Sequence, residues 1–146
     1  MAKAQLLENF FDVSAKIKRL MAQGVQDQDG LATFFQLQVL SYISHHRDST
    51  PGQLAETFCM SSSAVAQLID RLLTSKWVER KHDENDRRVV HLQLTKDGLV
   101  ELNRLKEIRR KRLGPLVKHL DEKDLQELIR ILQKVYISMD KEKRGK

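Results

Sequence analysis

Apolar residues recur along this chain at two periods, and the change of period marks out its parts. Leu6, Phe10, Val13, Ile17 and Leu20 fall three or four residues apart, which predicts a long amphipathic helix at the N-terminus. It should end near Gly24, in a polar run through Gly30. Phe34, Leu37, Leu40 and Ile43 carry a second helix from about Thr33 to His46. Ser49-Thr50-Pro51 starts a third: Thr50 can cap it, Pro51 suits its first turn, and Gln53 stands three residues past the cap, as in a capping box. Cys59-Met60-Ser61 interrupts that helix. Ser61 then caps another, with Val65, Leu68, Ile69, Leu72 and Leu73 inward.

Beyond this point the period drops to two. Trp77 and Val78 open a strand, and 89–94 returns with Val90, Leu92 and Leu94 on one face and Val89, His91 and Gln93 on the other. Thr95 caps a long helix striped by Leu99, Leu102, Leu105, Ile108, Leu116 and Leu120, in which Pro115 predicts a kink or local break. Asp121-Glu122-Lys123-Asp124 begins a last helix, striped by Leu125, Leu128, Leu132, Val135 and Met139. The charged run 141–146 predicts a frayed end.

The fold class is therefore mainly α with a small β-hairpin wing, a winged helix-turn-helix between long terminal helices. Three segments are expected: an N-terminal dimerisation helix and linker over 1–31, the winged core over 32–98, and C-terminal dimerisation helices with a basic tail over 99–146. The centre can bury its own core, but the terminal stripes have no further sheet or helix to cover them. Packing on each other and on a second copy is the simplest solution, with a monomeric bundle as the alternative.

Composition narrows the classes. At 146 residues, 32% charged and 5% aromatic, the chain suits one helical domain with extensions rather than a β-sandwich. A net charge of +6 adds modest weight to an anionic partner. A single cysteine, Cys59, excludes an internal disulfide. No apolar stretch is long enough to span a bilayer, and Glu8 and Asp12 interrupt any signal-peptide core. A reducing, cytoplasmic setting without membrane contact is expected. No glycine-rich phosphate loop, nucleophile elbow or paired-cysteine motif points to an enzyme or a cofactor. His45, His46, His82, His91 and His119 show no i, i+4 pair of the kind that holds a metal, and are expected at the surface. Carboxylates spread along what should be solvent faces. The Arg109-Arg110-Lys111-Arg112 cluster wraps nearly round its helix, which suits solvent, DNA backbone or an acidic partner helix.

The strongest chemical signal lies in 50–98. On the helix begun by Ser61, the outward positions are Ser62, Ser63, Ala66, Gln67, Asp70, Arg71 and Thr74. Small residues in the first turns let a helix backbone approach base edges, and serines such as Ser61, Ser62 and Ser63 can donate to phosphates or bases. Gln67 can make a bidentate contact, best matched to adenine. Arg71, one turn later, can meet a phosphate or a wing carboxylate. The hairpin tip Asp83-Glu84-Asn85-Asp86-Arg87-Arg88 is longer than a turn needs and is flanked by Arg80 and Lys81. An arginine on such a tip can enter a narrow A·T-rich minor groove, and Asp86 makes sense if it holds an arginine in place. A solvated surface helix and a self-offsetting charge run are the competing readings.

These residues also carry a family resemblance. Ser61-x-Ser63-x-Val65, Leu68-Ile69-Asp70-Arg71-Leu72, Val78-x-Arg80, Asp83-x-x-Asp86-Arg87-Arg88 and Leu92-x-Leu94-Thr95-x-x-Gly98 resemble the core of the MarR family of winged-helix regulators, with intact spacing. The resemblance implies a homodimer with interlocking terminal helices and one winged helix on each side, acting on transcription, by analogy as a repressor. It implies that Arg88 is the minor-groove arginine, that Asp86 positions it, and that Arg87 and Lys81 face phosphate. It also implies a pocket for a small aromatic effector, with Phe10, Phe11, Phe34, Phe35 and Tyr42 as candidate walls, although apolar residues at helical spacing more often form plain core. Two recognition helices related by a two-fold axis would enter successive major grooves about 10 base pairs apart, on a pseudo-palindromic double-stranded operator.

Three features depart from the family pattern. Lys76 stands where the family usually has glycine, so the helix exit is expected to differ, since lysine adopts a left-handed cap only at about 1 kcal/mol. Gln67 stands where arginine or another polar residue is frequent, so base preference does not carry over. Hydroperoxide-sensing relatives carry a reactive cysteine on the first helix; here Cys59 lies instead before the recognition helix, a place usually filled by a packed residue. From a different class, a helical protein-interaction module without specific DNA binding remains the alternative.

Overall fold

A computed structural model describes residues 2–23 and 29–145. The order of elements is α1 (Lys3–Gln23), α2 (Asp29–His45), α3 (Pro51–Thr57), α4 (Ser62–Thr74), β1 (Val78–His82), β2 (Val90–Leu94), α5 (Lys96–Val117) and α6 (Glu122–Arg144). The two strands form an antiparallel hairpin in which Val78 faces Leu94 and His82 faces Val90.

Local capping chemistry fixes most of these boundaries. Thr50 and Gln53 form the reciprocal capping box of α3, with bonds of 3.0 and 3.2 Å and Pro51 in the first turn. Ser61 caps α4 by accepting from the amide of Ala64 at 3.1 Å, and Asp121 caps α6 from Asp124 at 2.8 Å. Thr95 caps α5 by accepting from the amide of Gly98 at 2.9 Å.

Two helix exits use non-glycine residues in the left-handed region. Lys76 has φ 59°, with its amide bonded to the carbonyl of Leu73 and that of Trp77 bonded to Leu72. This is the ordinary Schellman exit, so the lysine changes its cost and not its shape. Cys59 (φ 52°) ends α3 in the same way and is exposed, where a packed residue was expected.

Other boundaries differ from the pattern reading. Helix α2 begins at Asp29, four residues before the expected Thr33. Asp and Gly read as breakers, yet they cost little in a first turn, whose amides have no helical partner. The expected stop at Gly24 and the start of the polar run lie outside the described residues. Helix α5 continues through Pro115 for two more residues. Gly114, just before it, has no Cβ to meet the proline ring. Instead of fraying at 141, α6 runs to Arg144, whose Nε lies 3.0 Å from the Asp140 carboxylate.

The chain divides into two compact units, Met1–Ile108 and Arg109–Lys146. In the first, Leu37, Val39, Leu40 and Ile43 of α2 pack with Leu54, Val65, Leu68, Ile69, Leu72, Val78, Leu92, Leu102 and Leu105 into one buried cluster. Full burial of each such side chain contributes about 1.5–3 kcal/mol. Ser49, 0% exposed, adds a short bridge: its carbonyl accepts from the amide of Leu92 at 2.8 Å. Glu101 corrects the expectation that carboxylates keep to solvent faces. It is buried at the edge of this core and held by Arg104 through two bonds of 2.7 and 2.8 Å. By contrast, the apolar stripe of α1 is exposed, and none of the described residues of α6 is buried.

Candidate nucleic-acid interface

Helix α4 buries Val65, Leu68, Ile69 and Leu72 and turns Ser62, Ser63, Ala66, Gln67, Asp70 and Arg71 to solvent. The capping side chain Ser61 is exposed at its N-terminus. The outer surface of the first two turns is therefore small and uncharged, and Gln67 is its longest side chain. A cleft of about 190 Å³ runs along this helix, lined by Pro51 and Ala55 of α3, Ser62 and Ala66 of α4, and Arg80 of β1. Arg80 reaches the helix directly, with its guanidinium 3.7 Å from the Asp70 carboxylate. The recognition helix and the base of the wing are thus joined by a carboxylate on the helix and an arginine on the strand. Arg71, expected to meet a phosphate or a wing carboxylate, is exposed and lies beside Phe35, Gln36, Ser75 and Trp77, around a cavity of about 230 Å³.

The wing tip is built by two aspartates. Asp83 Oδ1 accepts from the amides of Asn85 at 2.8 Å and Asp86 at 3.0 Å, which folds the turn around its carboxylate. The turn is closed by bonds from the amide of Asp83 to Val89 and from the amide of Val89 to Asp86. Asp86 then receives three bonds from Arg88: its amide and Nε reach Oδ1, both at 3.0 Å, and Nη2 reaches Oδ2 at 3.1 Å. The grip is bidentate, yet the Arg88 side chain remains 91% exposed. These bonds hold the Asp86 carboxyl below the usual range, the Arg88 side chain being the main cause and its amide the second. They raise the Arg88 guanidinium in turn.

Arg87 is also exposed, and its carbonyl contacts the His82 ring at 3.0 Å. Strand alternation puts Lys81 on the opposite face of the hairpin from Arg80. There it joins Arg47 and Lys96 around an open groove of about 470 Å³ floored by Ile43, Leu94 and Leu99.

His91 is the functional candidate that pattern reading missed. It is not a plain surface residue: its side chain is 15% exposed, with Nε2 2.8 Å from Asp83 Oδ2 and Nδ1 2.9 Å from the carbonyl of Asp48. Both partners are acceptors, so the ring satisfies both only when each nitrogen carries hydrogen, that is, as an imidazolium. Its pKa is raised, chiefly by the Asp83 hydrogen bond. That of Asp83 is lowered, by His91 first and then by the two turn amides. The one local clue was Asp83 two residues before Asn85, the spacing of an Asx-turn.

The aromatic residues expected to wall a pocket fall into separate groups. Phe10 and Phe11 pair with each other on the exposed face of α1, with ring centroids 5.8 Å apart. Phe35 and Tyr42 pack edge-on against Phe58, at 5.6 and 5.8 Å, beside the core. Phe34 is exposed.

This arrangement is that of a winged helix-turn-helix, and comparison with known proteins gives it relatives. The MarR family model matches residues 31–89, which span α2, both helices of the turn and the wing tip. Over this winged core the chain is similar to the MarR family. It is similar to the transcriptional repressor MprA of Escherichia coli, 30% identical over 96 residues that cover 66% of this chain and 48% of MprA. The chain thus spans about half the length of that relative. It is also similar to the HTH-type transcriptional repressor MdtR of Bacillus subtilis, 28% identical over 120 residues that cover 82% of this chain and 76% of MdtR. Among solved structures, Streptococcus pneumoniae FabT in complex with DNA shares the fold with a TM-score of 0.62. It is 22% identical and is matched over 94% of this chain and 95% of FabT. The hairpin is the only sheet among the described residues. No helix among them is long and apolar enough to cross a membrane.

Proposed function

We propose that this chain is a homodimeric, sequence-specific regulator of the MarR family that binds double-stranded DNA, acts as a repressor of transcription, and is released by a small aromatic ligand. One observation carries the reading. A helix whose first two turns are small, polar and uncharged on the outside is joined through Asp70 and Arg80 to a wing that ends in a fixed yet exposed arginine. Ser62, Ser63 and Gln67 then read the major groove, with Ser61 and Arg71 at the two ends of the helix. Arg88, aimed by Asp86, enters the minor groove, and Arg87 and Lys81 meet phosphates. Exposed apolar stripes on α1 and α6 support the second copy, which would cover them. Phe10, Phe11, Phe34, Phe35 and Tyr42 remain the candidate walls of the effector site in the dimer. On this reading the protein works in the cytoplasm, with its DNA.

The test is selection of bound sequences from a random duplex pool by the purified protein, followed by titration at several salt concentrations. A pseudo-palindrome with half-sites about 10 base pairs apart, and an affinity that falls steeply with salt, are expected. Absence of any sequence-dependent binding across the pool would overturn the reading in favour of a protein-interaction module.

A further inference from the structure

We propose that His91 and Asp83 are positioning residues for the wing: a protonated His91, anchored on the loop before α3, holds Asp83 and thereby the turn that presents Arg88. The inference rests on the regulator reading for its consequence, but its geometry stands apart from DNA. The chain of contacts is continuous. The carbonyl of Asp48 accepts from His91 Nδ1, and Asp83 Oδ2 accepts from His91 Nε2. Asp83 Oδ1 accepts the amides of Asn85 and Asp86, and the carboxylate of Asp86 holds the Arg88 amide and guanidinium. Ser49, the residue after Asp48, is bridged to Leu92, the residue after His91, so the anchor end is fixed to the core. The tip end is a solvent-facing loop with no apolar residue between Asp83 and Arg88. Besides these bonds it is ordered by the two backbone bonds that close the turn and by the His82 ring on the Arg87 carbonyl, none of which fixes the Asp83 carboxylate.

The charge of the ring is essential to this chain. A neutral imidazole has one N–H and can serve either Asp48 or Asp83, but not both. The groups around the ring favour the proton: the Asp83 carboxylate from the hairpin loop and Asp48 from the loop before α3 oppose Lys81, which lies across the ladder from His91. The sign follows from the raised pKa of His91. The clamp is fully formed below the ordinary histidine range and is lost as pH rises through the raised value. A wing that loses its clamp spends less time with Arg88 in the binding geometry, so specific affinity should fall by about three- to tenfold across that rise.

The experiment measures operator affinity by fluorescence anisotropy from pH 5.5 to 8.5 for the wild type, His91→Gln and Asp83→Asn. Ring-nitrogen NMR of His91 and amide shifts of Asn85, Asp86 and Arg88 are followed over the same range without DNA. In the wild type, affinity should weaken as the His91 ring loses its proton, and the three amides should shift at the same midpoint. His91→Gln should remove that component of the pH dependence. Asp83→Asn keeps an acceptor for the turn amides and offers an N–H to a neutral ring. It should therefore bind DNA at pH 8 at least as well as the wild type, a rescue that a merely structural role would not give. A wild-type pH slope that persists in His91→Gln, or a His91 titration that leaves the wing amides unmoved, would overturn the proposal. If the wild type binds no specific DNA at any pH, the regulator reading fails, and the ring and amide titrations alone decide the clamp.

Discussion

The winged centre and the two terminal helices are built from the same kinds of residue and come to opposite ends. In the centre, leucines such as Leu40, Leu54, Leu92 and Leu102 are 0% exposed. On the terminal helices Leu20 is 62% and Leu132 59% exposed, although the stripes that carry them are as regular. Periodicity alone fixes which face is apolar. Whether that face is covered depends on what the chain brings near it. The centre meets its own α2, α3, α4 and hairpin, whereas the stripes of α1 and α6 are exposed.

This contrast can be broken in several places. The largest expected effect is at Gly98, where an added Cβ would stand 1.9 Å from the carbonyl oxygen of Trp77, a backbone atom with no freedom to retreat. Gly98→Ala should cost about 3 kcal/mol or more in urea unfolding; a variant as stable as the wild type would show that α5 is not tied to the core there. Next comes the pair Leu54→Ala and Leu132→Glu. The first opens a cavity and should lower unfolding free energy by about 2–4 kcal/mol. The second should leave the centre folded and, if the proposed second copy covers this face, weaken self-association by about tenfold or more in sedimentation, since a charge would then be placed in an apolar contact. If Leu132→Glu leaves association unchanged, the exposed stripe of α6 has another use.

Smaller effects sharpen the picture on the DNA side. Arg88→Ala should lose about 1–3 kcal/mol of operator binding without change in thermal unfolding, and unchanged binding would remove the wing from the mechanism. Exchange of Gln67 should alter base preference at one position per half-site more than overall affinity, as read by repeating the selection. The smallest expected change is a gain. Lys76→Gly relieves a left-handed lysine and should stabilise the centre by roughly 0.5–1 kcal/mol, net of the added freedom of the unfolded chain.

What was legible in the sequence follows from how far apart the partners lie. Caps at Thr50, Ser61, Thr95 and Asp121 involve residues three apart, so the helix starts could be read directly. The exposed face of α4 followed from its period. The clamp could not be read in this way, because His91 and the Asp48 carbonyl it binds are 43 residues apart, as are Ser49 and Leu92. The exits at Cys59 and Lys76 could be placed from the break in the stripe and from the family's pattern, but their Schellman form could not be read, because the usual glycine or asparagine signal is missing. The aromatic pocket was the weakest inference, for the same reason as the clamp. Phe10 and Phe35 share a residue type but not a neighbourhood within the groups observed in one copy.

Thr95 sets how firmly two helices of this molecule are joined. Its hydroxyl donates to the carbonyl of Lys76 at 2.6 Å while accepting the amide of Gly98, and its own amide donates to Trp77. The exit of α4 and the first turn of α5 are therefore tied together at one residue, through its hydroxyl and its amide. A Thr95→Val protein would keep the amide bond to Trp77 and the packing of Leu102 and Leu105, and would lose both bonds of the hydroxyl, so the two helices would stay in place with a looser joint between them.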